Sequence, residues 1–271
     1  MSVCGLLIIN ADDWGADQPT TEAIRRCYDA GAVTSVSGMV FMADSAAAAR
    51  LAVERDMPAG LHINLTESFT GSDVDPVIRR RQARLAEYFS GPNWRRWGVR
   101  PALFAEIESA IAEQLAEFRS LYGRDPSHFD GHEHIHQSLG VLAARTLPTG
   151  AKMRPSFTFL PGDKAWPNRS VRAIVNRALR TRFSAPRYFF SIRDMHPQLG
   201  GIALEEKLAL SSGSSVEVMT HPAWDDEREI LLDPSWVELI GQRNLGDYAQ
   251  LGARRPRALR MRRCSHDSRN S

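Results

Sequence analysis

The sequence predicts an α/β fold with parallel strands, and three observations carry that expectation. Short apolar runs rich in β-branched residues alternate with helical patterns along most of the 271 residues. At least six such strand candidates can be counted, which suits a complete or incomplete barrel better than two separate domains. Acids or histidines follow several of these runs, as they do where parallel strands deliver side chains to an active-site rim.

Taken in order, Leu6-Leu7-Ile8-Ile9 leads into Asn10-Ala11-Asp12-Asp13-Trp14-Gly15, a buried strand expected to end in two adjacent carboxylates. Pro19-Thr20-Thr21 opens a helix with Ile24, Cys27 and Tyr28 at helical spacing and Gly31 placed to end it. Residues 33–41 read as a second strand. Asp44 or Ser45 then caps an Ala-rich helix to about Arg55, and residues 59–65 read as a third strand. Over residues 66–100 the pattern fails, and an irregular segment is expected, basic and aromatic through Arg79-Arg80-Arg81 and Trp94-Arg95-Arg96-Trp97. Leu103, Ile107, Ile111, Leu115, Phe118 and Leu121 mark one face of an amphipathic helix closed by Gly123. The densest histidine cluster follows, from His128 to His136. Residues 152–159 and 187–192 read as strands flanking a helix over about 168–183, and residues 215–219 as a strand delivering Thr220-His221-Pro222. A last helix is expected over about 235–251. The domain therefore runs over residues 1–252, with 253–271 a basic tail expected to be unstructured.

Composition excludes some function classes. With 43% apolar and 24% charged residues the chain is neither disordered nor fibrous. The net charge of +2 hides an Arg-rich tail on a neutral to acidic body, so nucleic acid is not an expected partner. Cys4, Cys27 and Cys264 form no CxxC pair and read as free thiols in a reducing compartment. No apolar stretch approaches the ~20 residues of a membrane span, and the N-terminal run lacks the flanks of a signal peptide. A cytoplasmic protein without a transmembrane segment is expected; a homodimer is left open.

The chemistry lies in the polar groups at strand ends. Two ionised carboxylates repel one another and persist when solvated, sharing a proton or facing a cation. Alone, the Asp12-Asp13 pair is as readily a helix cap. Together with His62, the His132 cluster and His221, each at or just past a strand end, it forms a carboxylate–imidazole set suited to a divalent cation such as zinc. If 128–136 is extended, Asp130, His132, His134 and His136 share a face; if helical, His132 and His136 do. Arg154 stands ready to orient Asp12, to contact substrate or to form a structural ion pair.

The quartet Asn10-Ala11-Asp12-Asp13-Trp14-Gly15, Gly60-Leu61-His62-Ile63-Asn64-Leu65-Thr66, Asp130-Gly131-His132-Glu133-His134-Ile135-His136 and Thr220-His221-Pro222 resembles, in order over about residues 6–225, the signatures of the YdjC-like carbohydrate deacetylases, which include chito-oligosaccharide deacetylases and hopanoid-associated members. The resemblance implies a single-domain distorted or incomplete (β/α) barrel with parallel strands, one divalent metal ion (Mg2+ or Zn2+) and hydrolytic removal of an acetyl group from an N-acetylated carbohydrate. Carried over by position, Asp13, His62 and His132 would hold the metal, Asp12 would be the general base and His221 the acid. Arg154, Asp130, His134, His136 and Trp14 would bind substrate or support the site; Trp14 stands where the family most often has Phe. The competing readings are a metal-dependent hydrolase of another amide or of a phosphoester, a non-catalytic carbohydrate-binding protein, and a receiver-like signalling module. The last is about half this length and wants a third acid where this chain has His62.

Overall fold

In the structure, a computed structural model, residues 5–92, 101–160, 163 and 166–252 are described. Leu6–Trp14 forms β1, Ser35–Gly38 β2, Ala59–Ile63 β3, Phe129–Gly131 β4, Tyr188–Ser191 β5 and Ser215–Thr220 β6. They make one sheet in the order β4-β3-β2-β1-β6-β5 with every pairing parallel. The architecture is the expected α/β incomplete barrel. β1 is buried along its length apart from the half-buried Asp13, because it lies centrally between β2 and β6 and is covered on both faces.

The barrel stays open between β4 and β5, and residues 151–158 cross that gap. Met153 donates its N–H to the Ser184 carbonyl at 2.8 Å, Arg154 to the Phe129 carbonyl at 3.0 Å and Thr158 to the Phe189 carbonyl at 2.9 Å. This is the segment expected to be a strand over 152–159. It is laddered only by isolated bridges, and Pro155 supplies no N–H to continue them. The sixth strand of the sheet is instead the three-residue β4, too short to leave a sequence pattern.

The helices α1 (Gln18–Asp29), α2 (Ser45–Glu54), α3 (Pro76–Phe89), α4 (Pro101–Tyr122), α5 (Leu139–Ala143), α6 (Trp166–Arg182), α7 (Leu204–Ala209), α8 (Asp225–Leu232) and α9 (Pro234–Gly241) flank the sheet. Asp17 caps α1, accepting from the Thr20 N–H at 2.8 Å, one turn ahead of the Thr residues expected to do so. The segment expected to be irregular contains α3, capped by Asp75. Its helical pattern is masked by the Arg79-Arg80-Arg81 run, since only Gln82, Leu85, Ala86 and Phe89 are buried. The last expected helix is two pieces, α9 and a single turn at Tyr248–Gln250, separated where residue 244 and Gly246 pair with Leu7. α7 and α8 escaped the sequence reading because they are short, six and eight residues. Trp94 to Trp97 and the basic tail lie outside the described residues, as do Cys4 and Cys264. Among the described residues no helix is long and apolar enough to cross a membrane.

One apolar core runs through both faces, from Leu7 and Ile9 on β1 to Phe118 on α4 and Ile240 on α9. The barrel interior is polar in contrast, and His128 is closely packed within it. Its ring stacks on Tyr248 with centroids 3.9 Å apart and touches Ser37 Oγ and Ser127 Oγ, while a Cβ at Gly60 would fall within 2.5 Å of its Nε2. Gly60→Ala should therefore destabilise the fold by about 1–3 kcal/mol, the usual scale of overpacking. A urea midpoint unchanged from the parent would contradict this packing.

Candidate metal centre and active site

The two acids of β1 diverge because the backbone breaks between them. In an unbroken strand Asp12 and Asp13 would face opposite sides of the sheet. Here the β1–β2 register shifts between Ala11 and Trp14, and Asp13 takes φ 68°, a left-handed conformation that Asp tolerates better than most residues. Asp12 then reaches the barrel interior and Asp13 the rim.

Asp13 Oδ1 lies 3.0 Å from His132 Nδ1 and 3.4 Å from His62 Nε2. These three residues each offer a ligand atom, all within 4.8 Å of one another. His62 is oriented by its other nitrogen: Nδ1 is 2.9 Å from Asp130 Oδ1, so a proton there leaves Nε2 free to face Asp13. The parallel β3–β4 register sets this contact by pairing His62 with Asp130. Burial opposes charge on His62, yet Asp130, Asp12 and Asp13 outweigh it and push its pKa up to about 10. Burial likewise opposes the charge on Asp13, and His132 and His62 hold its carboxyl far below the usual range. A pocket this negative, with two imidazoles converging on one carboxylate, fits a divalent cation. Asp12, His62 and Asp130 also lie close together, but Arg154 already supplies their cation. Its Nη1 is 2.6 Å from Asp12 Oδ2 and its Nη2 2.6 Å from Asp12 Oδ1 and 2.9 Å from Asp130 Oδ2.

Arg154 is fully buried and its Nε donates to Glu217 Oε1 at 2.8 Å; Tyr248 OH donates to the other Glu217 oxygen at 2.5 Å. Burial opposes the guanidinium charge, but Asp12, Asp130 and Glu217 raise its pKa well above the ordinary value. Asn10 adds a 2.9 Å hydrogen bond to Asp12 Oδ1, and Ser37 Oγ donates to Asp130 Oδ2 at 2.6 Å.

His221 sits on the rim beyond β6 with Nε2 4.0 Å from Asp12 Oδ2. Its ring stacks on Trp224 at 4.4 Å, and its N–H donates to Glu227 Oε2 at 2.6 Å. Burial lowers the His221 pKa against the pull of Asp12 and Asp13. Arg193 Nε approaches Glu227 Oε1 at 2.8 Å and its guanidinium lies 4.4 Å over Trp224.

The histidine cluster is neither extended nor helical. Residues His132–Gln137 form a 3-10 turn broken at Glu133 and His134, both with positive φ. The three imidazoles therefore do not share a face. His132 joins Asp13 and His62, whereas His134 packs edge-on to Phe157 at 4.7 Å and His136 is fully buried, where desolvation lowers its pKa to about 3. Trp14 is also apart from the site, fully buried with its indole N–H on the Ala48 carbonyl at 3.2 Å. Glu67, 3.1 Å from His132 Nε2, Glu217 and Glu227 were not anticipated. Glu67 follows the His62 strand by a few residues, a usable signal; Glu217 is a lone acid inside an apolar strand, which could have marked a buried partner.

An open α/β barrel whose strand ends gather acids and imidazoles around a candidate cation site is the class this chain defines. Residues 6–258 match the family model described as YdjC-like protein, and the chain belongs to that family. A carbohydrate deacetylase of Mus musculus is 34% identical over 193 residues, 64% of this chain and 59% of the mouse protein. One of Homo sapiens is 38% identical over 143 residues, 50% of this chain and 42% of that protein. The chain thus spans about half the length of these curated relatives. A chitooligosaccharide deacetylase of Proteus mirabilis is 27% identical over 91% of this chain and 98% of its own. The fold is shared with a solved Enterococcus faecalis protein named for cellobiose-phosphate cleavage, at TM-score 0.64 and 21% identity over 92% of this chain and 99% of that one.

Two outcomes follow from the geometry. Arg154→Met strands three buried carboxylates without their cation and should cost about 3–5 kcal/mol, read by chemical denaturation; a loss under 1 kcal/mol would contradict the network. Burial raises the Glu227 pKa to about 7 in the fold, above the ordinary 4.5. The folded state then binds the proton more tightly, so this group's contribution is complete below about pH 4.5 and is lost as pH rises through about 7. Glu227→Gln should flatten that part of the stability–pH curve, and an unchanged slope would refute the shift.

Proposed function

We propose that this chain is a metal-dependent hydrolase that removes the acetyl group from an N-acetylated sugar, on an oligosaccharide or a glycolipid. The observation that carries the proposal is the convergence of Asp13, His62 and His132 on one point of the rim, with Asp12 and His221 flanking it. The names of the mouse, human and Proteus relatives support the substrate class.

Asp13, His62 Nε2 and His132 would hold one divalent cation, and two imidazole ligands favour zinc over magnesium. When bound, that ion supplies polarisation of the acetamide carbonyl and acidification of a water. The remaining steps belong to the chain. Asp12 is held by both terminal nitrogens of Arg154 and by Asn10, which fixes its carboxylate toward the rim. Oδ1 accepts from both Asn10 and Arg154, whereas Oδ2 accepts from Arg154 and keeps a lone pair, so Asp12 takes the proton of the attacking water on Oδ2 as the new carbon–oxygen bond forms. His221 donates its proton to the sugar nitrogen as the carbon–nitrogen bond breaks, giving acetate and the free amine. The depressed pKa of His221 makes its imidazolium a stronger acid toward that poor leaving group. Asp130 keeps His62 in one tautomer, and Arg154, Glu217 and Tyr248 anchor Asp12 from behind. His134, His136 and Trp14 support the walls rather than touch the reacting atoms.

In this proposal residues 1–252 form the catalytic domain and the protein works in the cytoplasm, a setting in keeping with the buried free thiol of Cys27.

Acetate release from N-acetylglucosamine oligosaccharides and glycolipids, with and without chelator, tests the activity. Release abolished by chelator and restored by metal is expected; cleavage of phosphoesters or cyclic amides without acetate release would overturn the reading. Asp12→Asn should lower turnover by roughly 10²–10⁴-fold, the scale of a lost acid–base group, while metal content measured on the purified variant stays near one per chain. Asp13→Asn and His62→Ala should lose the metal itself, and full occupancy in either would remove that residue from the ligand set.

A further inference from the structure

A cavity of mixed polar and aromatic lining opens away from the rim acids, between α6 and the segment that crosses the barrel gap. This open cleft has a volume of about 460 Å³, within the ~300–1,000 Å³ typical of small-ligand sites. Four arginines line it, Arg172, Arg177, Arg180 and Arg187, and its described lining contains no carboxylate. None of the residues proposed to bind metal or move protons belongs to it.

These four lack the carboxylate partner that many arginines of the fold have. Arg25, Arg81, Arg119, Arg154, Arg193 and Arg228 each form an ion pair with Asp or Glu. Among the described residues, none of the four lining the cavity does. Arg172 donates from Nη1 to Gln137 Oε1 and Ser156 Oγ, each at 2.9 Å. Arg180 donates to the Pro186 carbonyl at 2.7 Å and the Arg187 carbonyl at 3.2 Å. Both are half-buried with only neutral acceptors, and burial lowers the pKa of each, with Arg187 adding to the effect at Arg180. Concentrating four guanidinium groups without a counter-charge costs free energy that a bound anion would recover.

Aromatic rings complete the lining. Phe157 and Phe159 are stacked at 6.3 Å, and Tyr188 lies beside the Arg187 guanidinium at 5.9 Å. We propose that this cavity is a binding site for a small phosphate monoester whose ring lies against Phe157 and Tyr188. Guanidinium forks match phosphate oxygens bidentately, and a monoester carries close to two charges at neutral pH. The inference stands independently of the deacetylase reading, since it uses none of that site's residues.

Phenyl phosphate, inorganic phosphate and benzoate, titrated calorimetrically into the full chain at fixed ionic strength, test it. Phenyl phosphate should bind below millimolar Kd, at least several-fold tighter than inorganic phosphate or benzoate. The double variant Arg177→Glu/Arg187→Glu, confined to exposed side chains so that folding is spared, should weaken it at least tenfold. Asp13→Asn should leave it unchanged. Absence of millimolar binding, indifference to the double variant, or dependence on Asp13 would each overturn the proposal.

Discussion

A single guanidinium, fully buried, links the adjacent strands β1 and β6 to β4, which lies at the far edge of the sheet. Arg154 takes Asp12 from β1, Asp130 from β4 and Glu217 from β6, and it does so from a segment that is not itself a strand. Four contacts of 2.6–2.9 Å radiate from its three nitrogens, which suits the fixed fork of a guanidinium. Burying three carboxylates would otherwise be strongly unfavourable, so the polar interior exists only with Arg154 in place. The gap between β4 and β5 follows from the same requirement: Pro155 halts laddering directly after Arg154, and the side chain is carried inward where a regular strand would have closed the barrel.

The division of labour between Asp12 and Asp13 is a consequence of this cation. Arg154 occupies both Asp12 oxygens, and the cation site that Asp12, His62 and Asp130 would otherwise offer is neutralised. Asp13, turned out by its positive φ, faces two imidazoles and no guanidinium. One acid is therefore fixed by a permanent charge, and its neighbour is left facing two imidazoles, a donor set that an exchangeable cation can join.

Much of this was legible in sequence because strand ends carry local signals. Asp12, Asp13, His62 and His221 lie in or just after apolar runs and His132 in a dense histidine cluster, and the sheet brings those segments side by side. What escaped has a common cause in tertiary geometry. β4 is three residues long, α3 hides its apolar stripe behind arginines, and Pro155 unmakes a strand whose composition is otherwise convincing. The fates of His132, His134 and His136 were beyond any periodicity, because positive φ at Glu133 and His134 sends neighbouring rings in different directions. Glu217 shows the same limit from the other side: alternation in β6 marks it as inward, but only the fold supplies Arg154 and Tyr248 to accompany it.

His221 then depends on the network without touching it. Its main chain is held by Glu227, its ring by Trp224, and Arg193 binds both of those partners, so its position is set by the rim of β5 and β6. Its proton affinity is set from inside. Burial disfavours the imidazolium, Asp12 and Asp13 favour it, and Arg154 and His62 oppose it. Asp12 Oδ2 lies 4.0 Å from Nε2. When Asp12 gains a proton its negative charge vanishes, the attraction that stabilised the His221 imidazolium weakens, and the imidazole becomes a better donor. Uptake of a proton at one residue thus promotes release at the other, which is the order of events that amide hydrolysis requires.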